Sequence, residues 1–304
     1  MSHWAEKKER GNLWVLKLSA FLVKYTPAWL MKIITICIVS YFYLTAPQER
    51  RAIAEYQQKL AAYLGSNLFK LRSVFCQFLQ FAEAIQDRFA VWQRRLTYTD
   101  IDVFDPDDLY TDIRNSGQGN RGQMLICSHL GNVEICRTLA AHHQKLRMNV
   151  LVHSRHAEAF NAVLQELGGN TLNLIQVNEL DMATMLLLET RIANGEWIAI
   201  AADRVPVRGE KTVMVDFLNA EAKFPQGPWL LAGLLKTPVN LLFCHKIAGR
   251  YQLHLSRLTR QIDWSRNQRT ESVQYWAQRF ADELAKRCTE VPLQWFNFYS
   301  FWKK

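Results

Sequence analysis

A histidine and a glutamate five positions apart are the residues whose types and spacing suggest chemistry. They are His129 and Glu134, in the stretch ICSHLGNVEIC at residues 126–136. On one regular helix their side chains would point about 140° apart and could not meet. They meet only if an apolar strand ends near His129, the chain bends at Gly131, and the glutamate falls in the first turn of a helix. We therefore predict a strand, a turn and a helix start here.

The chemistry predicted for this pair is general base catalysis. A carboxylate bonded to one imidazole nitrogen fixes the tautomer and raises the basicity of the ring, and the other nitrogen can then take a proton from a hydroxyl group. The pattern requires no serine or cysteine nucleophile, so the hydroxyl can belong to the substrate. His129 and Glu134 are the candidate catalytic residues. The spacing alone leaves open a simpler alternative, a capped helix with an acid on its surface.

No metal and no cofactor are predicted. Cys127, His129 and Glu134 lack a fourth ligand and do not have the spacing of a zinc site. The chain has six cysteines without paired short spacings, and several lie in apolar segments. This usage is typical of reduced, buried thiols in a cytosolic compartment.

The order of apolar runs and helical patterns predicts the fold that positions the pair. Apolar runs of strand length follow the polar loop at residues 114–122: QMLICSH, MNVLVHS, TLNLIQV, EWIAIAAD, TVMVDF, PVNLLFCHK and YQLHLSRL. Helical patterns lie at 131–144, 157–167, 181–194, 226–236 and about 270–288. Continuous apolar strands separated by helices predict an α/β fold with a mixed, mainly parallel sheet flanked by helices.

Before this region, residues 48–95 have apolar positions three and four apart and predict two helices with a break at Gly65 and Ser66. Asp105, Pro106 and Asp107 predict a helix-starting cap and turn.

The segment at residues 13–46 is apolar and aromatic, interrupted by three lysines and Pro27. Its uncharged part, residues 33–46, is shorter than the roughly 20 residues that cross a bilayer, and it reaches that length only together with residues 28–32. The lysines at 17, 24 and 32 fall within about 80° of one another on a helix. We therefore predict helices that lie in the headgroup layer and break at Pro27, with a membrane span and a buried hairpin as alternatives.

Charge and aromatic content favour the same kind of partner. The chain has a net charge of +9, with ten Trp, ten Tyr and sixteen Phe. Excess positive charge favours a polyanion, and aromatic side chains favour the boundary between water and lipid. A membrane surface fits both properties. No nucleic-acid motif accompanies the basic residues, so we expect no nucleic-acid partner.

Motifs spread along the chain resemble those of a known family. They occur in the order SHLGNVE, AADR, FPQGPWLLAG followed by TPVNLLF, and VPLQWFNFY near the end. This order resembles the bacterial lipid A late acyltransferases, the lauroyl and myristoyl transferase branch of the lysophospholipid acyltransferase superfamily. The resemblance runs from about residue 3 to residue 302. The QWFNFY ending is similar to the terminal Gln-Trp-aromatic signature of that branch.

The resemblance implies a role for each matching residue. His129 would be the general base and Glu134 its orienting acid. Asp203, with its neighbour Arg204, would help to form the floor of the site. Gly227 in the FPQGP turn would line the channel for acceptor or donor. The substrate-binding set implied in this way is Arg155, Asp203, Arg204 and Gly227.

The implied function is membrane-associated O-acyl transfer. A fatty acyl chain would move from acyl-acyl-carrier protein, or from acyl-CoA, to a hydroxyl of a lipid A precursor-like glycolipid. The expected location is the cytoplasmic face of a bacterial inner membrane. Residues 1–47 would form the membrane-associated helical segment, and residues 48–304 the acyltransferase domain.

The acceptor is the least determined part of this expectation. The segment LGGNTLNLIQVNELD lacks the arginine-rich stretch that many lipid A enzymes have there, and RVPVRGEK replaces the residues usual after Asp203. Both differences from the family lie in the region expected to bind the phosphates of the acceptor. A glycerolipid or a secondary-metabolite lipid is therefore the enzymatic alternative. The non-enzymatic alternative is a membrane-associated binding protein with an idle His/Glu pair.

Overall fold

The fold is α/β, with a mixed and mainly parallel sheet flanked by helices, as the order of apolar runs and helical patterns predicted. The computed structural model describes residues 13–66, 69, 72–116, 119–136, 138, 142, 146–152, 172–176, 181–205, 211–265 and 267–302. The helices in this part are α1 Leu13–Tyr25, α2 Ala28–Thr45, α3 Pro47–Leu64, α4 Ser73–Trp92, α5 Leu109–Arg114, α6 Met182–Ala193, α7 Gly227–Leu235 and α8 Arg269–Glu290. Two short 3-10 helices lie at Tyr98–Asp100 and Val133–Ile135.

The strands are β1 Ile101–Phe104, β2 Met124–Gly131, β3 Met148–Val152, β4 Leu172–Gln176, β5 Trp197–Ala201, β6 Thr212–Asp216, β7 Glu221–Pro225, β8 Val239–Ile247 and β9 Arg250–Thr259. The main sheet has the order β1-β9-β8-β2-β5-β3-β4, and β6 and β7 form a separate hairpin. Strands β8, β2, β5, β3 and β4 run parallel, whereas β9 is antiparallel to β8. The carboxyl ends of β2 and β5 therefore meet at one edge, where ligands collect in α/β sheets.

Strand β2 is central because its residues are apolar on both faces. Ile126 packs into the cluster that includes α6, α7 and α8, whereas Leu125 and Cys127 pack into the cluster on the side of α4 and α5. All three are at most 4% exposed. A continuous apolar run in a strand predicts this two-sided burial.

The boundaries differ from the predictions in a few places. β1 and β7 were not predicted, because the charged residues Asp102, Glu221 and Lys223 interrupt their apolar patterns. β2 continues through His129 to Gly131 instead of ending near the histidine. The helix predicted at 131–144 begins as the 3-10 helix Val133–Ile135. The helix predicted at 157–167 lies outside the described residues.

Two local predictions are confirmed. α3 ends at Gly65, which has a φ of 62°, a left-handed conformation that glycine adopts without steric cost. Asp105 accepts hydrogen bonds from the backbone N–H groups of Leu109 (2.9 Å) and Tyr110 (2.6 Å) at the start of α5. The carboxylate thereby satisfies two N–H groups that have no partner within the helix.

The N-terminal helices are anchored to α4 and leave a wide apolar surface exposed. Pro27 separates α1 from α2, as predicted. Gln93 and Arg95, after the end of α4, donate to backbone carbonyls of α1. α2 has 18 residues, of which 11% are buried, and by length and composition it is apolar enough to cross a membrane. Its exposed large side chains are Trp29, Ile33, Ile36, Ile38, Tyr41, Phe42 and Leu44. An exposed apolar helix of this kind fits a membrane-associated segment.

Candidate active site

Strand register brings His129 together with Asp203. Strands β2 and β5 are parallel neighbours in which Cys127 is paired with Ala201. His129 and Asp203 each lie two residues beyond that pair, so both stand at the same level at the carboxyl edge of the sheet. Nδ1 of His129 is 2.7 Å from Oδ1 of Asp203. The backbone N–H of His129 donates to Oδ2 of the same carboxylate, also at 2.7 Å. One carboxylate thus fixes both the backbone and the ring of the histidine.

The two members of this pair differ in exposure. The Asp203 side chain is 1% exposed, whereas 34% of the His129 side chain is exposed. A third donor, the indole Nε1 of Trp295, lies 3.0 Å from Oδ2 of Asp203. The buried carboxylate is therefore satisfied by three N–H donors if Nδ1 carries the proton, and Nε2 of the ring is then the basic nitrogen.

The pKa directions agree with a neutral histidine beside an ionised acid. Burial and the Arg204 guanidinium lower the pKa of His129 below its usual 6.5, although the Asp203 carboxylate opposes them. Burial alone would raise the pKa of Asp203, but the His129 imidazole, Arg204 and the His129 backbone N–H bring it below its usual 3.8. At neutral pH the imidazole is therefore available to accept a proton.

Gly131 makes the bend that follows the histidine. Its φ is 69°, and a Cβ atom at this position would lie 2.0 Å from the backbone oxygen of Cys244 on β8. The next residue, Asn132, donates its backbone N–H to the same oxygen at 2.7 Å. The contact between β2 and β8 at this point leaves room for glycine alone. The turn is thus present at Gly131, as predicted, and β2 ends two residues later than predicted.

The segment at residues 294–296 closes the site from the other side. The backbone N–H of Gly131 donates to the Gln294 carbonyl at 2.7 Å, and the N–H of Phe296 donates to the His129 carbonyl at 3.0 Å. The side chain of Gln294 both accepts from and donates to the backbone of Lys246. This segment therefore pairs with the end of β2 and is fixed to the end of β8.

Glu134 does not occupy the position at the ring that the sequence predicted. The structure gives Nδ1 of His129 to Asp203, and one contact of Glu134 is with the indole Nε1 of Trp92, at 3.5 Å from Oε2. Glu134 lies just after the bend, as predicted, but the physical reason for the difference is that Asp203, two residues beyond β5, stands beside the ring and bonds to Nδ1. The predicted ring contact is corrected in this respect. A catalytic role for Glu134 stays a prediction.

The other predicted site residues have different positions. Arg204 follows Asp203 and donates from Nη2 to the Phe296 carbonyl at 3.0 Å, which supports its predicted place beside the site. Gly227 begins α7 after β7, and none of the hydrogen bonds described around His129 reaches it. Arg155 lies outside the described residues, so its predicted role is untested.

Sequence reasoning missed Trp295 as a site residue, although it noted the QWFNFY ending. The available signal was a glutamine and a tryptophan at the start of the aromatic ending. A buried indole N–H needs a partner, and here that partner is Asp203.

Comparison with known proteins identifies the family. The family model described as bacterial lipid A biosynthesis acyltransferase matches residues 25–304. The chain belongs to this family. The match begins at the end of α1 and includes α2, so it extends into the predicted membrane-associated segment. No curated protein matches the chain.

Membership in the lipid A biosynthesis acyltransferase family makes the chain an acyltransferase of the lipid A type and confirms the resemblance drawn from the motifs. An acyltransferase of this family acts with an acyl donor and a lipid acceptor. The alternative of a binding protein with an idle pair is thereby set aside.

Proposed function

We propose that this protein moves a fatty acyl chain from a carrier thioester to a hydroxyl of a lipid A precursor-like glycolipid, with His129 as the general base. The single observation that carries the proposal is the pairing of His129 Nδ1 with the buried Asp203 carboxylate at 2.7 Å. This pairing directs the basic lone pair to Nε2 on a partly exposed ring.

The reaction balances without a protein nucleophile. Nε2 of His129 takes the proton of the acceptor hydroxyl while the oxygen attacks the thioester carbonyl. The tetrahedral intermediate collapses, the carbon–sulfur bond breaks, and the carrier thiolate leaves. The thiolate then takes the proton from the His129 imidazolium. The products are the acyl ester and the free carrier thiol, and the imidazole is neutral again.

The oxyanion of the intermediate needs hydrogen-bond donors. The turn after His129 is a natural source, but its first two N–H groups already have partners. Gly131 N–H donates to Gln294 and Asn132 N–H donates to Cys244. The N–H groups of Ile135 and Cys136 are also taken, by carbonyls of the 3-10 helix and of Asn132 before it. We therefore propose that the oxyanion donors from this turn are the N–H groups of Val133 and Glu134.

We further propose acyl-acyl-carrier protein as the donor, with acyl-CoA as the second possibility. Acyl carrier proteins are acidic, and a net charge of +9 attracts an acidic partner.

We also propose that residues 1–47 attach the protein to the cytoplasmic face of the inner membrane and that residues 48–304 form the acyltransferase domain. The exposed apolar side chains of α2 support the attachment.

The departures after Asp203 support a second acceptor class. RVPVRGEK replaces the residues usual in lipid A enzymes at the place expected to read acceptor phosphates. A glycerolipid or secondary-metabolite lipid is the corresponding alternative acceptor, and the catalytic pair would act on it in the same way.

Acyl transfer by the purified full chain, measured by mass spectrometry of the lipid products, tests the proposal. The donors are acyl-acyl-carrier protein and acyl-CoA, and the acceptors are a lipid A precursor disaccharide and a lysoglycerophospholipid. We expect the disaccharide to gain the mass of one acyl group with the carrier-protein donor. Transfer to the lysoglycerophospholipid alone would overturn the proposed acceptor. A second comparison, of total lipids from cells with and without the gene, should show the same mass difference.

A further inference from the structure

A chain of polar side chains connects α3 and α4 to the His129–Asp203 pair. Ser73 Oγ donates to Gln57 Oε1 at 2.6 Å, and Gln57 Nε2 donates to Gln77 Oε1 at 2.9 Å. Gln77 Nε2 then donates to the Trp295 carbonyl at 2.8 Å. The indole Nε1 of Trp295 completes the chain at Asp203 Oδ2. Side chains on α3 and α4 thus reach the catalytic carboxylate through one tryptophan.

Apart from Ser73, which is partly exposed, the members of this chain are buried where polar groups are costly. Gln77 and Trp295 are 0% exposed, Gln57 is 4% exposed and Asp203 is 1% exposed. A buried amide or indole N–H without a partner destabilises the fold, and apolar side chains of similar size would avoid that cost. The hydrogen bonds fix where each group lies, and Asp203 is the charged end.

Aromatic packing limits the positions available to Trp295. Its ring lies 5.0 Å from Tyr56, 5.2 Å from Phe217 and 5.0 Å from Phe301, measured between ring centroids. The backbone on either side is fixed as well, because Gln294 and Phe296 bond to the end of β2. The indole N–H therefore points at Asp203 from a position fixed by both its side chain and its backbone.

We propose that Trp295 and Gln77 are positioning residues for the acyl transfer: Gln77 holds the backbone of Trp295, and its indole holds the carboxylate that orients His129. The inference rests on His129 acting as the base, as proposed above. Trp295 donates to Oδ2, which leaves Oδ1 for the imidazole Nδ1. Without the indole N–H, Oδ2 keeps the His129 backbone N–H as its one described donor. The carboxylate is then held less firmly, and the histidine spends less time in the tautomer and orientation that expose Nε2 as a base.

A double-mutant cycle between Trp295 and Asp203 tests this role. Trp295→Phe keeps an aromatic ring and removes the N–H. In the otherwise unchanged protein we expect kcat to fall roughly 10- to 100-fold with little change in KM, because a hydrogen bond to a charged group is lost. In the Asp203→Asn background the same change should lower kcat by less than about 3-fold, because the interaction that it removes has already been altered. Equal losses in both backgrounds would overturn the inference and assign Trp295 a purely structural role.

Trp302→Phe is the matched control. Trp302 belongs to the same aromatic cluster, 6.0 Å from Trp295, and its indole donates to the Phe217 carbonyl at 3.2 Å. It makes no described contact with Asp203. We expect its replacement to have a small and equal effect on kcat in both backgrounds.

Gln77→Met, which keeps the length of the side chain and removes the donor, repeats the cycle if Trp295→Phe does not fold. We expect a smaller loss of kcat than for Trp295→Phe, and this loss should again shrink in the Asp203→Asn background. Equal losses of kcat in both backgrounds would contradict the role of Gln77.

His129→Ala in the same assay separates the two proposals. If His129→Ala retains full activity, the proposed function fails. If it is inactive while Trp295→Phe is fully active, only the positioning role fails.

Discussion

At the scale of single residues, the acid that bonds to the His129 imidazole matters most for the proposed mechanism. Asp203 is bonded to Nδ1 of His129 and to its backbone N–H, and both distances are 2.7 Å. An acid in this position holds the neutral tautomer that exposes Nε2 and stabilises the imidazolium that forms when Nε2 takes a proton. Glu134, which the sequence favoured, lies beyond the bend at Gly131.

Asp203→Asn should lower kcat by about 10²- to 10⁴-fold, because the amide does not hold the tautomer that exposes a basic Nε2. Steady-state acyl transfer at saturating donor measures this. Glu134→Gln, in the same assay, should cost less. The reverse ranking, with Asp203→Asn near the activity of the unchanged protein and Glu134→Gln inactive, would return the orienting role to Glu134.

Burial and, after it, the Arg204 guanidinium lower the pKa of His129 and so widen the pH range in which the imidazole is neutral. Only the neutral imidazole is a base, so activity is lost as the pH falls through the pKa of His129, which lies below 6.5 in the folded protein. Arg204→Gln removes a cation that disfavours the imidazolium and should raise that pKa. We expect the acid limb of kcat/KM against pH to move to higher pH. A limb that stays in place or moves to lower pH would contradict this electrostatic role.

At the scale of elements, the sequence predicted the strands that are buried on both faces and missed two others. The apolar runs predicted β2, β5 and β8 because burial on both faces leaves a local signal in each strand. β1 (IDVF) and β7 (EAKFP) contain the charged residues Asp102, Glu221 and Lys223, so neither forms a continuous apolar run and neither was predicted. Helix starts with clear caps, such as that of α5, were also predicted.

The contact between His129 and Asp203 depends on sheet order, which no local pattern contains. The motifs pointed to both residues, but the ring contact was assigned to the acid nearer in sequence. Once β2 is placed beside β5, equal offsets from the pair Cys127 and Ala201 bring the two side chains together. The Trp295 contact is still harder to predict from the sequence, since it joins the C-terminal segment to Asp203, just after β5, across 92 positions.

Gly131→Ala should destabilise the fold and lower activity. The left-handed φ alone costs about 1 kcal/mol for alanine, and the clash with the Cys244 carbonyl adds roughly 1–3 kcal/mol more. Urea unfolding and kcat report the two effects.

Gly65→Ala is the matched control for this change, because Gly65 has a φ of 62° and a Cβ atom added there would have no atom within 4 Å. We expect Gly65→Ala to show the conformational cost alone, with activity retained. Equal losses in the free energy of unfolding for the two variants would mean that the clash with β8 does not contribute to the effect of Gly131→Ala.

At the scale of the whole molecule, the protein combines an exposed apolar face on α2 with a net charge of +9. Both properties favour contact with an anionic membrane surface. The buried side of α2, with Thr35 and Val39, packs against α4, and the large apolar side chains elsewhere on α2 are exposed. This division leaves a surface suited to lipid, with Lys24 and Lys32 exposed along the same segment. Anionic headgroups would attract these lysines.

Ile33→Ser combined with Leu44→Ser should weaken binding to vesicles that contain anionic lipid, because two exposed apolar side chains leave the interface. Vesicle sedimentation measures the bound fraction. Tyr275→Ser, at a residue of α8 that is 55% exposed, is the control and should bind as the unchanged protein does. Unchanged binding of the α2 variant would exclude this face as the contact with lipid.

The most direct test of the account is the rate of acyl transfer by His129→Ala, measured as kcat on the same lipid acceptor and thioester donor as the unchanged protein. Removal of the general base should lower kcat by about 10²- to 10⁴-fold while donor binding and thermal stability are retained. A folded His129→Ala protein that keeps kcat within about 3-fold of the original would contradict the assignment of His129 as the base, since a base contributes more than this.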